Sequence, residues 1–169
     1  TVMNNGSVVA QFTADVTGNN TFSAAGVLTS TNTVSFTDKS AAGTNTYTVG
    51  NGIDVVDMGA NADIVNVTNY QFIAATDSLN GGAGADTLQI NVDGGASSAT
   101  RVTVSAAQLA SAKSFSTINI DDGAATFIGI TIDDTVVAQN QTSLAMTVAA
   151  TDGAVAFDGS ASIDASSVT

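Results

Sequence analysis

The most chemically informative stretch of this chain is residues 81–89, which read Gly-Gly-Ala-Gly-Ala-Asp-Thr-Leu-Gln. The glycine-rich half favours a tight turn whose carbonyl oxygens can point inward, and Asp86 adds a charged side-chain oxygen. Carbonyl and carboxylate oxygens are the ligands of Ca²⁺, which takes about six to eight of them. The last residues alternate polar with apolar, as in a short β-strand. The nonapeptide therefore predicts a calcium-binding turn that leads into a strand.

The same nine-residue pattern recurs upstream in weaker form, at residues 40–48, 49–57, 58–66 and 72–80. Each copy keeps Asp or Asn at the sixth position, and Asn in a glycine position is acceptable because it tolerates left-handed backbone. A series of Gly/Asn/Asp turns in another kind of β protein is the alternative. We predict a metal site made of sixth-position side chains and turn carbonyls. The candidate ligands are Asn45, Asp54, Asp63, Asp77, Asp86, Gly50, Gly52, Gly59, Asn61, Gly81, Gly82, Ala83 and Gly84.

The repeat spacing predicts which turns stack on one another. Two nonapeptides make one coil of eighteen residues, so Asn45 should stack on Asp63. A five-residue insertion at 67–71 stretches the next coil to twenty-three residues and places Asp63 on Asp86. A cation between two stacked turns would receive oxygens from both of them. We expect the Asp63–Asp86 pair to be the strongest site.

The opposite edge of the same coils should carry a weaker site. By the same count, Asp54 stacks on Asp77, but residues 72–76 contain no glycine to shape the turn. Up to three cation sites on two edges are therefore expected. Carboxylates stacked at one strand repeat, about 4.7–4.9 Å, repel one another without metal. Metal binding should therefore supply free energy for folding.

The eighth position of each repeat is apolar and should point into a narrow core. These residues are Tyr47, Val56, Val65, Leu79 and Leu88. The predicted fold is all-β: a right-handed parallel β-roll or β-helix solenoid with one short helix near 105–114. Ser105 can serve as the N-cap of that helix.

The composition restricts the possible functions. The chain has 169 residues and a net charge of −12, and it contains no Pro, Cys, His, Trp or Glu, so all fifteen of its acidic residues are Asp. Its apolar content of 44% is too high for a disordered chain. Such a polyanion repels nucleic acid and anionic lipid, and no apolar run is long enough to span a membrane. Without catalytic or cofactor motifs, we expect no enzyme activity.

Three regions are predicted along the chain. Residues 1–39 should form β coils or a cap, 40–92 the calcium-binding β-roll, and 93–169 a wider β-solenoid continuous with the roll. An antiparallel sandwich is the alternative for 117–169.

Two pairs of acidic residues lie in the last region, Asp121–Asp122 and Asp133–Asp134. They are interpreted as turn caps, with a further cation site as the alternative. Because the chain has no initiator Met and ends abruptly, we expect it to be a piece of a longer protein.

Residues 40–90 resemble the calcium-binding repeats of the RTX, or haemolysin-type, family of large secreted proteins of Gram-negative bacteria. The nonapeptide at 81–89 is the specific part of this resemblance, whose motifs cover about a third of the chain. Gln108-Leu109 followed by Phe115-Ser-Thr-Ile-Asn-Ile, together with Thr/Ala/Asp-rich strands, looks most like RTX-type bacterial surface-layer proteins.

The resemblance implies a structural, calcium-binding segment of a secreted protein at the surface of a Gram-negative bacterium. It also implies type I secretion, self-association into a lattice, and contact with lipopolysaccharide or another surface glycan. Two alternatives remain within the family. One is the spacer or ligand-binding solenoid of an RTX adhesin, and the other is the β-roll tail of a secreted RTX enzyme.

Overall fold

The computed structural model describes residues 8–14, 18–26, 31–40, 42–92, 102–122, 128–140 and 144–150. Within these ranges the fold is all-β, built from parallel sheets with few helical residues. The strands are β1 Val8–Ala14, β2 Thr21–Ser23, β3 Thr33–Asp38, β4 Thr46–Thr48, β5 Ile53–Asp57, β6 Ile64–Val67, β7 Ser78–Asn80, β8 Thr87–Asn91, β9 Val102–Val104, β10 Ala112–Lys113, β11 Thr117–Asp122, β12 Ile128–Ile130 and β13 Ala145–Ala150. The helices are α1 Ala106–Leu109, α2 Asp134–Gln139 and the 3-10 helix η1 Tyr70–Phe72.

From β1 to β8, successive strands alternate between two parallel sheets. One sheet has the order β1-β3-β5-β7-β10 and the other β13-β11-β8-β6-β4-β2, while β12 pairs with β9 in a two-stranded sheet. Every pairing among the described strands is parallel. Parallel neighbours need a crossover connection, and from β1 to β8 a strand of the opposite sheet lies within each crossover. The connecting turns therefore lie along two edges.

Side chains point alternately into the core and outward, because successive residues of a strand face opposite sides. Burial alternates in this way along β3, β6 and β8. Parallel register then stacks inward residues in columns, so that Val65 aligns with Leu88 and Val56 with Leu79. The prediction of five inward core residues is confirmed, since all five are buried: Tyr47, Val56, Val65, Leu79 and Leu88.

The helix expected near 105–114 is present but shorter than predicted. α1 ends at Leu109, after Ser105 has capped it through a reciprocal pair of hydrogen bonds with Gln108. The later part of the predicted range was wrong as helix, because Ala112–Lys113 form β10 and pair with β7. Pairing with an existing sheet edge satisfies the backbone groups that a longer helix would have bonded internally.

The strands after residue 102 remain parallel. β11 pairs with β8 on one side and with β13 on the other, so the antiparallel sandwich is wrong for the described part of 117–169. Asp133 caps α2 by accepting the Val136 N–H at 3.1 Å, which agrees with the turn-cap interpretation of this residue. Asp121 and Asp122 end β11.

The division into three regions stays a prediction. The sheet that contains β3 and β5 continues across the boundary between residues 39 and 40. The parts of the predicted solenoid at 93–101 and 151–169 lie outside the described residues.

Candidate metal centre

The turns between the sheets form two edges, which carry the predicted site residues. Edge A is defined as the described residues of the turns 39–45, 58–63 and 81–86, which enter β4, β6 and β8. Edge B is defined as the turns 49–52 and 68–77, which enter β5 and β7. The sixth-position residues lie at or beside the ends of these turns: Asn45, Asp63 and Asp86 on edge A, and Asp54 and Asp77 on edge B.

On edge A the sixth-position residues stand in one column, as the repeat spacing predicts. β4 aligns with β6, and β6 with β8. The Asn45 N–H donates to Asp63 Oδ1 at 2.7 Å over eighteen residues, and the Asp63 N–H donates to Asp86 Oδ1 at 2.8 Å over twenty-three. One carboxylate oxygen of each aspartate therefore holds the preceding turn in register.

The second carboxylate oxygen of each of these aspartates has no partner among the described residues. Asp63 Oδ2 and Asp86 Oδ2 are buried and accept no hydrogen bond from this part of the chain, and the two residues are only 1% and 0% exposed. Leaving a buried acceptor unsatisfied costs about 1–3 kcal/mol, and more when it is charged. A cation in contact with both oxygens would relieve this cost.

Burial also disfavours the charged form of these carboxyls. It raises the pKa of Asp86 to about 6, with the charge of Asp63 adding to the effect and the Asp63 N–H opposing it. Burial raises the pKa of Asp63 as well, the Asn45 N–H opposes the rise, and the charge of Asp38 adds to it. Burial and neighbouring carboxylates thus both disfavour the ionised forms of Asp63 and Asp86.

The edge A turns have a backbone shape that few residue types adopt. The φ angle is positive at the second and fourth positions of both repeats: 78° at Gly59, 97° at Asn61, 90° at Gly82 and 148° at Gly84. Glycine reaches these angles without strain, and asparagine does so better than other residues with a side chain. The placement of Asn61 in a glycine position is explained by this geometry.

Adjacent edge A turns approach each other at backbone distance. A Cβ on Gly84 would lie 1.7 Å from the Asn61 carbonyl oxygen, and one on Gly82 would lie 2.2 Å from the Gly59 carbonyl oxygen. The Ala83 N–H also donates to the Gly59 carbonyl at 2.8 Å. Carbonyl oxygens of the turn 58–63 therefore lie directly against the backbone of the turn 81–86.

Edge B is arranged differently at Asp54. Asp54 Oδ1 accepts the hydroxyl of Tyr47 at 2.6 Å, and its Oδ2 accepts the Gly50 N–H at 3.2 Å. Burial, followed by the charge and hydrogen bond of Asp54, raises the pKa of the Tyr47 phenol, which therefore stays a donor. Neither Gly50 nor Gly52 has a positive φ, in contrast to the same positions on edge A.

Asp77, the other carboxylate of edge B, is satisfied too. Its Oδ1 accepts the Asp54 N–H at 3.1 Å and its Oδ2 accepts the Ala74 N–H at 2.8 Å. The predicted stacking of Asp54 on Asp77 is present, but all four carboxylate oxygens already have protein donors. The geometry of edge B therefore favours a cation much less than that of edge A.

The other predicted ligands lie where the turns meet. Gly81 is buried against the Asp86 side chain, Ala83 forms an isolated parallel bridge with Ala60, and Gly52 is buried. Among the described residues, no group of three or more His, Cys, Asp or Glu side chains comes together. A cation on edge A would therefore depend on backbone carbonyls, other polar side chains and water for most of its ligands.

Edge A has a second repeated feature, which the spacing of the repeats did not predict. The residue at or beside the start of each turn accepts the backbone N–H two residues further on, with Asp38 bonding to Ser40 at 2.7 Å, Asp57 to Gly59 at 3.3 Å and Asn80 to Gly82 at 3.2 Å. This arrangement is the Asx-turn, in which a short side chain fixes the start of a turn. The sequence signal for these Asx-turns is Asp or Asn as the last residue of three strands, with small residues closely following it in each case.

The raised pKa values predict how the stability of the metal-free protein depends on pH. Burial raises the pKa of Asp54 and of Asp86 to about 6, from an ordinary value of 3.8. Between these values the folded state binds more protons than the unfolded state, so the free energy of unfolding should fall as pH rises from 3.8 to about 6.

Urea denaturation of metal-stripped protein across this pH range measures the effect. The Asp54→Asn variant is the control, because removing one of the two carboxyls should reduce the slope. A free energy of unfolding that increases with pH over this interval would contradict the prediction.

Comparison of the chain with protein-family models, curated proteins and solved structures finds no match. In the described part of the chain, no helix has the length and apolar character needed to cross a membrane.

Proposed function

We propose that this chain is a structural, calcium-binding segment of a secreted, self-assembling bacterial surface protein, most like an RTX-type surface-layer protein. Its fold would be a right-handed parallel β-roll that continues into a wider β-solenoid. The observation that carries the proposal is the pair of buried, unpartnered oxygens on Asp63 and Asp86 in adjacent glycine-shaped turns. The alternation of parallel strands between two sheets supports the roll.

The residues of edge A have distinct roles in this proposal. Asp63 and Asp86 would hold the ion through Oδ2 while their Oδ1 atoms fix the register of the turns. Gly82 and Gly84 allow the turns to approach at backbone distance. Bound calcium would supply the positive charge that lets both carboxylates stay ionised in a buried place. Its binding free energy would then contribute directly to folding.

The assignment to a surface layer depends on the sequence resemblance. Stacked strands held by a divalent ion suit a stiff extended element, and extracellular calcium modules work at about 10⁻⁴–10⁻³ M. An adhesin spacer and the tail of a secreted enzyme are the alternative functions. Electron micrographs of protein with calcium separate them, because a lattice protein should form sheets whereas a spacer or tail should remain dispersed.

Removal of calcium should destabilise the wild-type protein. At free calcium 100 times the dissociation constant, one site that binds only the folded state adds about 2.7 kcal/mol to the free energy of unfolding. Urea denaturation with excess calcium and with EGTA, both at pH 7, measures this difference. Magnesium at equal concentration is the control for ionic strength. Equal stability in calcium and EGTA would refute the proposed function.

A further inference from the structure

The column of sixth-position residues on edge A begins with an amide in place of a carboxylate. We propose that the side-chain amide of Asn45 takes the place of a cation between the turns 39–45 and 58–63. This inference rests on the proposed function and names the residue that limits the number of ions on edge A. The ion would then bind between Asp63 and Asp86 only.

The Asn45 side chain has no hydrogen-bonding capacity left for an ion. Its Nδ2 donates to Asp38 Oδ2 and to Ser40 Oγ, the latter at 2.8 Å. Its Oδ1 accepts from the backbone N–H and from the Nδ2 of Asn20, both at 3.1 Å. An amide offers two donor hydrogens and two acceptor lone pairs, and all four are used. Asn45 is also fully buried.

The Asn45 amide donates to a buried carboxylate, and the residues that start the other two edge A turns, Asp57 and Asn80, provide no such group. Asp38 is 4% exposed, whereas Asp57, which starts the following turn, is exposed. The register explains this difference, because Thr37 and not Asp38 aligns with Asp57. The turn after β3 therefore starts one residue later and places a carboxylate in the interior. The two donor hydrogens of Asn45 satisfy that carboxylate and Ser40 without metal.

Asp63 and Asp86 differ from Asn45 in the hydrogen-bonding groups of their side chains. Both aspartates occupy the same position as Asn45 in the following turns, but an ionised carboxylate has no hydrogen to donate. Each leaves one buried oxygen without a partner. On edge A, protein groups therefore complete the hydrogen bonds of the asparagine, whereas each aspartate keeps one oxygen without a described donor.

Asn45→Asp tests this inference. The substitution removes both donor hydrogens and adds a carboxylate beside Asp38, Ser40 and Asp63, so an oxygen-rich cluster replaces a satisfied network. We expect the number of calcium ions bound per chain, measured by equilibrium dialysis at pH 7, to rise by one. The midpoint of urea denaturation in EGTA should fall relative to wild type. Asn45→Ala is the matched control, since it removes the amide without adding an oxygen ligand, and its ion count should not fall below that of wild type.

The outcomes separate this inference from the proposed function. An unchanged ion count in Asn45→Asp overturns the inference while wild-type binding still supports the proposed function. Loss of one ion in Asn45→Ala also overturns it, because Asn45 would then be a ligand. Absence of calcium binding in wild type overturns the proposed function. If Asn45→Asp does not fold, the ion count of Asn45→Ala still decides: a count no lower than that of wild type supports the inference.

Discussion

Replacement of Asp86 by asparagine should remove the stabilisation that calcium gives to this protein. The Asp86→Asn side chain keeps an oxygen to accept the Asp63 N–H, a bond of 2.8 Å in the wild type. It replaces the unpartnered Oδ2 with a neutral NH₂ group, which cannot coordinate a cation. The difference in the free energy of unfolding between calcium and EGTA should fall from about 2.7 kcal/mol, at calcium 100 times the wild-type dissociation constant, to near zero.

Asp77→Asn is the matched control for this experiment. Asp77 accepts the Asp54 N–H at 3.1 Å on edge B, the same relation that Asp86 has to Asp63. Its second oxygen accepts the Ala74 N–H. In the variant an NH₂ group would face that N–H instead, so the hydrogen bond would be lost and stability would fall in all conditions. The calcium-dependent difference should nevertheless persist. Loss of the calcium response in both variants alike would contradict the assignment of the ion to edge A.

The metal-free state of Asp86→Asn gives an independent check. At pH 7 the wild-type carboxyl is mostly charged, because its pKa is about 6, and it is buried beside the charge of Asp63. The neutral amide removes that repulsion. In EGTA the variant should therefore be at least as stable as wild type, although it is less stable in calcium. A general packing defect would lower stability in both conditions.

The register of the candidate site could be predicted from spacing alone. A parallel sheet aligns equivalent positions of successive coils, so separations of eighteen and twenty-three residues were sufficient to stack Asn45, Asp63 and Asp86. The inward direction of the eighth-position residues followed from strand alternation, which has a period of two. Both are properties of regular backbone geometry, which depends little on the identity of neighbouring side chains.

Which sixth-position carboxylate lacks a hydrogen-bond donor could not be predicted from the spacing of the repeats. Asp54 and Asp63 occupy equivalent positions in their repeats. The hydroxyl of Tyr47 donates to the first, whereas no described residue donates to Oδ2 of the second. Tyr47 was expected to fill the core, and its ring does so. Which acceptor its hydroxyl reaches depends on three-dimensional packing. Asp38 was missed for a related reason, because it lies outside the repeat and reaches Asn45 only through a longer turn.

Gly84→Ala should be the most damaging small substitution on edge A. The residue has φ of 148°, a region that is essentially restricted to glycine and costs other residues about 1–3 kcal/mol. The added Cβ would lie 1.7 Å from the Asn61 carbonyl oxygen, so the two turns would have to separate. Forced overpacking of this kind typically costs a further 1–3 kcal/mol or so. We expect a loss of roughly 3 kcal/mol in the free energy of unfolding, together with weaker calcium binding.

Gly26→Ala is the control for Gly84→Ala. Gly26 is exposed, its Cβ would meet nothing within 4 Å, and its φ is not in the left-handed region. That variant should be neutral or more stable by up to about 1 kcal/mol, through the lower entropy of its unfolded chain. Urea denaturation of both variants with and without calcium measures the contrast. Equal effects at the two glycines would contradict the prediction, because both the φ angle of 148° and the steric overlap with Asn61 distinguish Gly84 from Gly26.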